Sequence, residues 1–162
     1  MERLLPGFVR WVESRALGDD TDSNPPVTSR AQHRAIVVGY GPVGQTVALL
    51  LRENAIQPTI VDLNVETIQR LRPDGIPAVY GDANRIDTLT QAGVATAQAL
   101  VLSASSVRDG KEIVRQAREL NPRIRVLART AYVKEIQELR SAGADAVFSG
   151  EGEVASAMTE AS

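Results

Sequence analysis

The chain has 162 residues, 43% of them apolar, with 18 Lys and Arg against 20 Asp and Glu, one His and no Cys. That length fits one domain with one core, large enough to bury about 70% of its unfolded surface. A net charge of −2 with no long basic run excludes an electrostatic footprint for nucleic acid, and the lack of Cys excludes disulfides, thiolate chemistry and Cys-based metal sites. A single His cannot build a histidine cluster. No apolar run approaches the roughly 20 residues that span a bilayer, and no signal-peptide pattern opens the chain, so the sequence reads as soluble and intracellular.

The first segment, residues 1–17, places Leu4, Leu5, Phe8, Val9, Val12, Ala16 and Leu17 on one helical stripe, with Trp11 beside it and Arg3, Arg10, Glu13 and Arg15 elsewhere. Pro6 is tolerable there only in a first turn. Three readings of this amphipathic helix stay open: packed on the domain, lying at a membrane surface, or the tail of a larger protein's last helix. Its abrupt opening favours a cut inside a longer gene over a true start at Met1. Residues 18–33, with Asp-Asp-Thr-Asp-Ser-Asn-Pro-Pro, have the polarity and proline content of a linker.

From Arg34 onward short apolar runs alternate with helical patterns, which predicts parallel strands joined by helical crossovers. Strands are expected at 34–39, 58–62, 76–80, 98–103, 123–128 and 145–148, and helices at 42–54, 65–72, 85–92, 107–120, 131–141 and 151–160. Gly75, Gly93 and Gly143 fall where helices should end, and Asn121-Pro122 stops the fourth. Right-handed crossovers then favour a Rossmann-like, doubly wound parallel six-stranded α/β sheet in the order 3-2-1-4-5-6 over residues 34–160.

The most informative local feature is Gly39-Tyr40-Gly41-Pro42-Val43-Gly44, between the apolar run Ala35–Val38 and an amphipathic helix. Gly39 allows a tight exit from a buried strand, Gly41 removes a Cβ from the path of a pyrophosphate, and Gly44 lets the helix pack close to the sheet. Free N–H groups at the helix start then face the anion. About twenty residues on, the second strand ends in Asp62, whose carboxylate can accept hydrogen bonds from both hydroxyls of an adenosine ribose. That carboxylate would repel a 2′-phosphate, and the neighbouring Leu63 and Asn64 supply no cation, so NAD(H) or an adenine nucleotide is expected and NADP is not. The competing structural role for Asp62 is to cap the helix starting near Val65, with Asn64 as the rival cap.

Four other places reach the same sheet edge. Gly81-Asp82-Ala83 ends the third strand, with small residues that admit an adenine ring and a carboxylate that orients the loop. Ser103-Ala104-Ser105 ends the fourth, where hydroxyls and N–H groups could meet ribose or phosphate. Arg129 ends the fifth as a cation for phosphate or a crevice salt bridge, and Glu151 follows the sixth. His33 precedes the first strand, at the opposite edge, and reads as an exposed structural residue rather than an acid or base. Tyr132-Val133-Lys134 lacks the spacing of a Tyr-x-x-x-Lys pair, and no second domain remains to hold a substrate. An enzyme is therefore not expected.

The stretch from His33 to about Glu160 resembles the TrkA-type N-terminal nucleotide-binding domain, or regulator of potassium conductance (RCK) domain. The resemblance is carried by residues 36–44, Val61-Asp62, Gly75-Ile-Pro-Ala-Val-Tyr-Gly-Asp-Ala83, Ala117-Arg-Glu-Leu-Asn-Pro122, Leu127-Ala-Arg-Thr130 and Ala142-Gly-Ala-Asp145. The ending Gly150-Glu-Gly-Glu-Val-Ala-Ser-Ala-Met158 is most similar to the Kef and YbaL-type branch, in which the domain hangs from a membrane cation:proton antiporter. The resemblance implies a homodimeric nucleotide sensor on the cytoplasmic side of the inner membrane that controls potassium movement. It implies that Gly39, Tyr40, Gly41, Val43 and Gly44 hold phosphate, that Asp62 with Leu63 meets the ribose, and that Gly81, Asp82 and Ala83 form the adenosine end, followed by Ser103, Ala104 and Arg129. Pro42 stands where many members have Arg, which removes a cationic contact and favours AMP or NAD(H) over ATP. The alternatives are an NAD-dependent oxidoreductase fragment, a soluble Trk-like potassium-uptake subunit, and an interaction module with an empty crevice held by a partner through residues 1–17.

Overall fold

The computed structural model describes residues 33–103 and 107–161. The predicted helix over 1–17, the linker up to residue 32, and Ala104 lie outside the described residues. Six strands, β1 (His33–Val38), β2 (Ile56–Asp62), β3 (Ala78–Tyr80), β4 (Ala99–Leu102), β5 (Arg125–Thr130) and β6 (Ala146–Ser149), pair in parallel in the order β3-β2-β1-β4-β5-β6. The helices are α1 (Pro42–Glu53), α2 (Val65–Leu71), α3 (Ile86–Ala92), α4 (Val107–Leu120), α5 (Ile136–Ala142) and α6 (Gly150–Glu160).

Strand alternation divides the core into two layers. Ala35 and Val37 of β1, with Ile60 and Val101, meet Val47, Ala48 and Leu51 of α1 and Leu71 of α2. Ile36 and Val38, with Val61, Leu100, Leu102, Val126 and Val147, meet Leu89 of α3, Ile113, Val114 and Ala117 of α4, and Leu139 of α5. Covered on both faces, β4 is buried throughout, which is why its sequence is an unbroken apolar run. Pro58 lies in β2 without breaking the sheet, because β3 pairs only from the level of Ile60 onward.

Register positions the site. Val38 pairs with both Val61 and Leu102, and Leu102 with Ala128, so Gly39, Asp62, Ser103 and Arg129 stand level, one residue beyond those pairs. Asp62 pairs with Tyr80, which adds Gly81 beside that row.

Boundaries differ from the pattern at several elements, β2 beginning at Ile56 rather than 58. β5 runs from Arg125 to Thr130 rather than over 123–128, because Asn121 holds a turn: its carbonyl accepts from Ile124 N–H at 3.2 Å and its side chain from Arg123 N–H at 3.2 Å. β3 starts at Ala78 and not at 76, after a proline that cannot donate. The helix expected over 131–141 is split into a 3₁₀ turn, Val133–Glu135, and α5; Thr130 Oγ1 donates to Glu135 and Val133 N–H donates to Glu151 Oε2 at 2.9 Å.

Arg118 of α4 ties the far end of the sheet. Its Nη1 donates to the carbonyls of Pro122 and Ile124, while Nη2 donates to Gly143 O at 2.7 Å and Asp145 Oδ2 at 2.8 Å. Asp145 Oδ2 also accepts from Val126 N–H at 2.7 Å. Lysine cannot reproduce that planar fork, so Arg118→Lys should lose most of what Arg118→Ala loses, about 2 kcal/mol in urea unfolding. Full retention of stability by Arg118→Lys would show that charge alone serves there.

Candidate nucleotide-binding site

Gly39 has φ +92, a conformation that L side chains rarely adopt, and its N–H donates to Val61 O at 2.9 Å as the chain turns off β1. Gly41 is the N-cap of α1 and Pro42 its first residue, as a proline lacking an N–H should be. The first intrahelical bond runs from Gln45 N–H to Gly41 O, 2.9 Å, so the N–H groups of Val43 and Gly44 precede the ladder. No side chain caps this end and no acidic residue occupies its first turn.

The two later glycines of the turn differ in what they make room for. A Cβ on Gly41 would meet nothing within 4 Å, whereas one on Gly44 would lie 2.1 Å from Gly39 O and 2.9 Å from Ser103 Oγ. Gly44 thus exists for the close approach of α1 to the turn, and Gly41 leaves open space at its mouth.

Asp62 is not the cap of α2. That role belongs to Asn64, whose Oδ1 accepts from Glu66 N–H at 2.9 Å and Thr67 N–H at 3.3 Å. Asp62 instead accepts from Tyr40 N–H at Oδ2 and from Asn64 N–H at Oδ1, both 2.8 Å. The carboxylate therefore braces the glycine turn against the end of β2, and each oxygen keeps a lone pair.

A cleft of about 300 Å³ opens above this edge. Of the predicted residues, Gly39, Tyr40, Gly41, Asp62, Leu63, Gly81, Asp82 and Ala83 line it; Pro42, Val43, Gly44, Ser103 and Arg129 do not. Ser103 is turned inward: its buried hydroxyl lies 2.8 Å from Val38 O and 2.9 Å from Gly39 O, so it supports the turn from behind. Arg129 is half-buried and lines a separate small apolar space with Val43, Ser103 and Phe148. Gly81 is glycine because a Cβ there would come within 2.9 Å of the Thr88 side chain. Asp82 does orient its loop, its Oδ1 accepting from Asn84 N–H at 2.9 Å and Asn84 Nδ2 at 3.0 Å.

Pattern reading missed Asn84, Asp109 and Ile113 in the cleft wall. Asp109 and Ile113 lie four apart on α4, and the helix following the fourth strand was the place to look for them. Among the described residues the wall thus holds three carboxylates, Asp62, Asp82 and Asp109, and no Lys or Arg. Behind it, Gln116 Nε2 donates to Asn84 O and to Glu112 Oε1, both 2.7 Å. Hydrogen bonds from Arg115, then from Gln116, hold the Glu112 carboxyl down to about 2.

The remaining candidates are structural. His33 is exposed at the N-terminal edge, with Nδ1 2.9 Å from Gln98 Oε1, and Glu151 accepts from the 3₁₀ turn. Lys134 sits 5.4 Å over the exposed Tyr132 ring. Among the described residues no group of three or more acidic or His side chains could hold a metal ion, and no helix is long and apolar enough to cross a membrane.

A parallel sheet in this order, with a glycine turn at the first strand and a carboxylate ending the second, is the Rossmann-like class. The chain belongs to the TrkA-N domain family, whose model matches residues 35–150. It is similar to the TrkA-N domain of the inner membrane protein ybaL from Escherichia coli, at 31% identity and a TM-score of 0.76 over 82% of this chain and 98% of that one. It is also similar to the Kef CTD of Shewanella denitrificans in AMP-bound form, at 28% identity and a TM-score of 0.66 over 76% of this chain and 74% of that one. The GsuK channel bound to NAD shares the fold, at 22% identity and a TM-score of 0.65, with 88% of this chain matched to 26% of that one.

Proposed function

We propose that this domain binds AMP or NAD(H) in the cleft and regulates a monovalent cation:proton antiporter of the potassium-efflux type, from the cytoplasmic side of the membrane. The observation that carries the reading is the joining of the turn to Asp62. One hydrogen bond, Tyr40 N–H to Asp62 Oδ2, holds the phosphate-facing helix end and the ribose acceptor in a fixed relation. Gly39, Tyr40, Gly41, Pro42, Val43 and Gly44 form the phosphate side; Asp62 and Leu63 the ribose side; Gly81, Asp82 and Ala83 the adenosine end. Ser103 supports the turn from behind. The AMP-bound Kef CTD and its 28% identity support the choice of ligand and of antiporter.

Charge supports a choice among nucleotides. The carboxylates of Asp62 and Asp82, with proline at position 42, disfavour the four negative charges of ATP and the added 2′-phosphate of NADP. Regulation requires only that the nucleotide bind two arrangements of the assembly unequally, and a hundredfold preference supplies about 2.7 kcal/mol. The exposed apolar side chains of Tyr132, Val133, Val154 and Met158 suit burial in a homodimer. Membership of the TrkA-N family and the similarity to the Kef CTD support a sensor over an oxidoreductase.

The expected result is that AMP and NAD(H) at about a hundred times Kd stabilise the domain by about 2.7 kcal/mol in thermal melts, with NADP having no effect. Melting unchanged by all of AMP, ATP, NAD and NADH at millimolar concentration would instead favour an interaction module with an empty crevice.

A further inference from the structure

Gln116 is a buried polar residue that the nucleotide reading above does not use. It is 8% exposed, and it lies on α4, three residues beyond Ile113 of the cleft wall. Both of its Nε2 contacts are acceptors, the Asn84 carbonyl and the Glu112 carboxylate. Reversing the amide would set oxygen against oxygen twice, so its orientation is fixed by chemistry. The consequence is that Oε1 is buried and accepts no hydrogen bond among the described residues. A buried carbonyl left in that state is costly, and an apolar side chain of the same length would avoid the cost.

What that arrangement holds is the loop at the adenosine end. Asn84 receives Gln116 at its carbonyl and donates through both N–H and Nδ2 to Asp82 Oδ1. Asp82 and Asn84 both line the cleft, whereas Gln116 does not. Glu112 fixes the other N–H of the amide and is itself held by Arg115 Nη2 at 2.6 Å and Nε at 3.1 Å. The chain Arg115–Glu112–Gln116–Asn84–Asp82 therefore runs from the outer face of α4 to the cleft, with the amide at its buried centre.

We infer that Gln116 is a positioning residue for adenine recognition, clamping the Asp82–Asn84 loop from behind at the expense of an unsatisfied carbonyl. The inference rests on nucleotide binding in the cleft. Only the base should feel the loss, because the phosphate and ribose groups contact the glycine turn and Asp62 on the other side.

The test is titration calorimetry of wild type and Gln116→Met with AMP and with ribose 5-phosphate. Loss of one loop-holding hydrogen bond should weaken AMP by about fivefold to tenfold. Ribose 5-phosphate binding should be unchanged, and the melting temperature should stay within about 3 °C of wild type or rise. A role confined to stability would lower melting and weaken both ligands together, and that outcome overturns the inference, as does AMP affinity equal to wild type. Glu112→Ala, at a side chain 41% exposed on the outer side of the same amide, should show the same selective loss in smaller measure; it decides the matter if Gln116→Met does not fold. Absence of any AMP or NAD binding to the wild-type chain removes the site reading itself, and this inference with it.

Discussion

Gly44→Ala is expected to cost about 3 kcal/mol or more and to lower the melting temperature by roughly 10 °C, while Gly41→Val, three positions earlier, costs folding far less and greatly weakens nucleotide binding. The added Cβ at Gly44 would lie 2.1 Å from a backbone oxygen, Gly39 O, which is itself held in place by the Ser103 hydroxyl. Neither neighbour is the free end of a flexible side chain, so the helix must move off the turn. At Gly41 the backbone is ordinary, φ −74 and ψ −168, and the new side chain meets nothing within 4 Å. Its folding cost is limited to the poor N-cap character of valine, about 1 kcal/mol. The space it fills is the mouth of the cleft, so AMP affinity should fall by roughly a hundredfold or more. Thermal melting with and without AMP reads both effects. Wild-type affinity in Gly41→Val would move the phosphate away from the turn.

Asp62 is expected to be the costliest single side chain for binding. In Asp62→Ala the N–H groups of Tyr40 and Asn64 both lose their acceptor, which should cost about 2 to 3 kcal/mol of stability. The ribose loses its acceptor as well, and AMP affinity should drop by about a hundredfold. Asp62→Asn separates the two roles. One amide oxygen can serve only one of the two N–H groups, and the NH₂ group opposes the other, so the brace is half lost at constant shape. The decisive comparison is AMP against 2′,3′-dideoxy-AMP, measured on wild type and Asp62→Asn. Wild type should discriminate strongly between the two and the variant weakly; equal discrimination by both proteins would assign Asp62 to the turn alone.

Much of this site is legible in the residues because its signals are local. Three glycines at fixed spacing, the proline at the first helical position and a carboxylate ending the next strand each follow from what a few adjacent residues can do. Asn64 as the true cap of α2 is equally local, and it leaves Asp62 free for the turn. Ser103 and Arg129 show where that reasoning runs short. Both stand level with Gly39 at the correct edge, yet Ser103 points to the carbonyls beneath the turn and Arg129 into a separate apolar space. Position along a strand was predictable from alternation, but the direction of a side chain at its end was not. The fifth strand slid by two residues for a related reason, since a side-chain-held turn at Asn121 outweighed the apolar pattern.

The sequence by itself determined the alternating elements, the strand order and the glycine turn with its carboxylate, because apolar period, turn chemistry and crossover handedness all act through neighbours in the chain. Only the tertiary structure decided that α4 contributes Asp109 and Ile113 to the wall and that Gln116 clamps the Asp82–Asn84 loop. Those contacts depend on how one helix is rotated and set against a loop 32 residues away, and that rotation is fixed by packing rather than by any short-range preference.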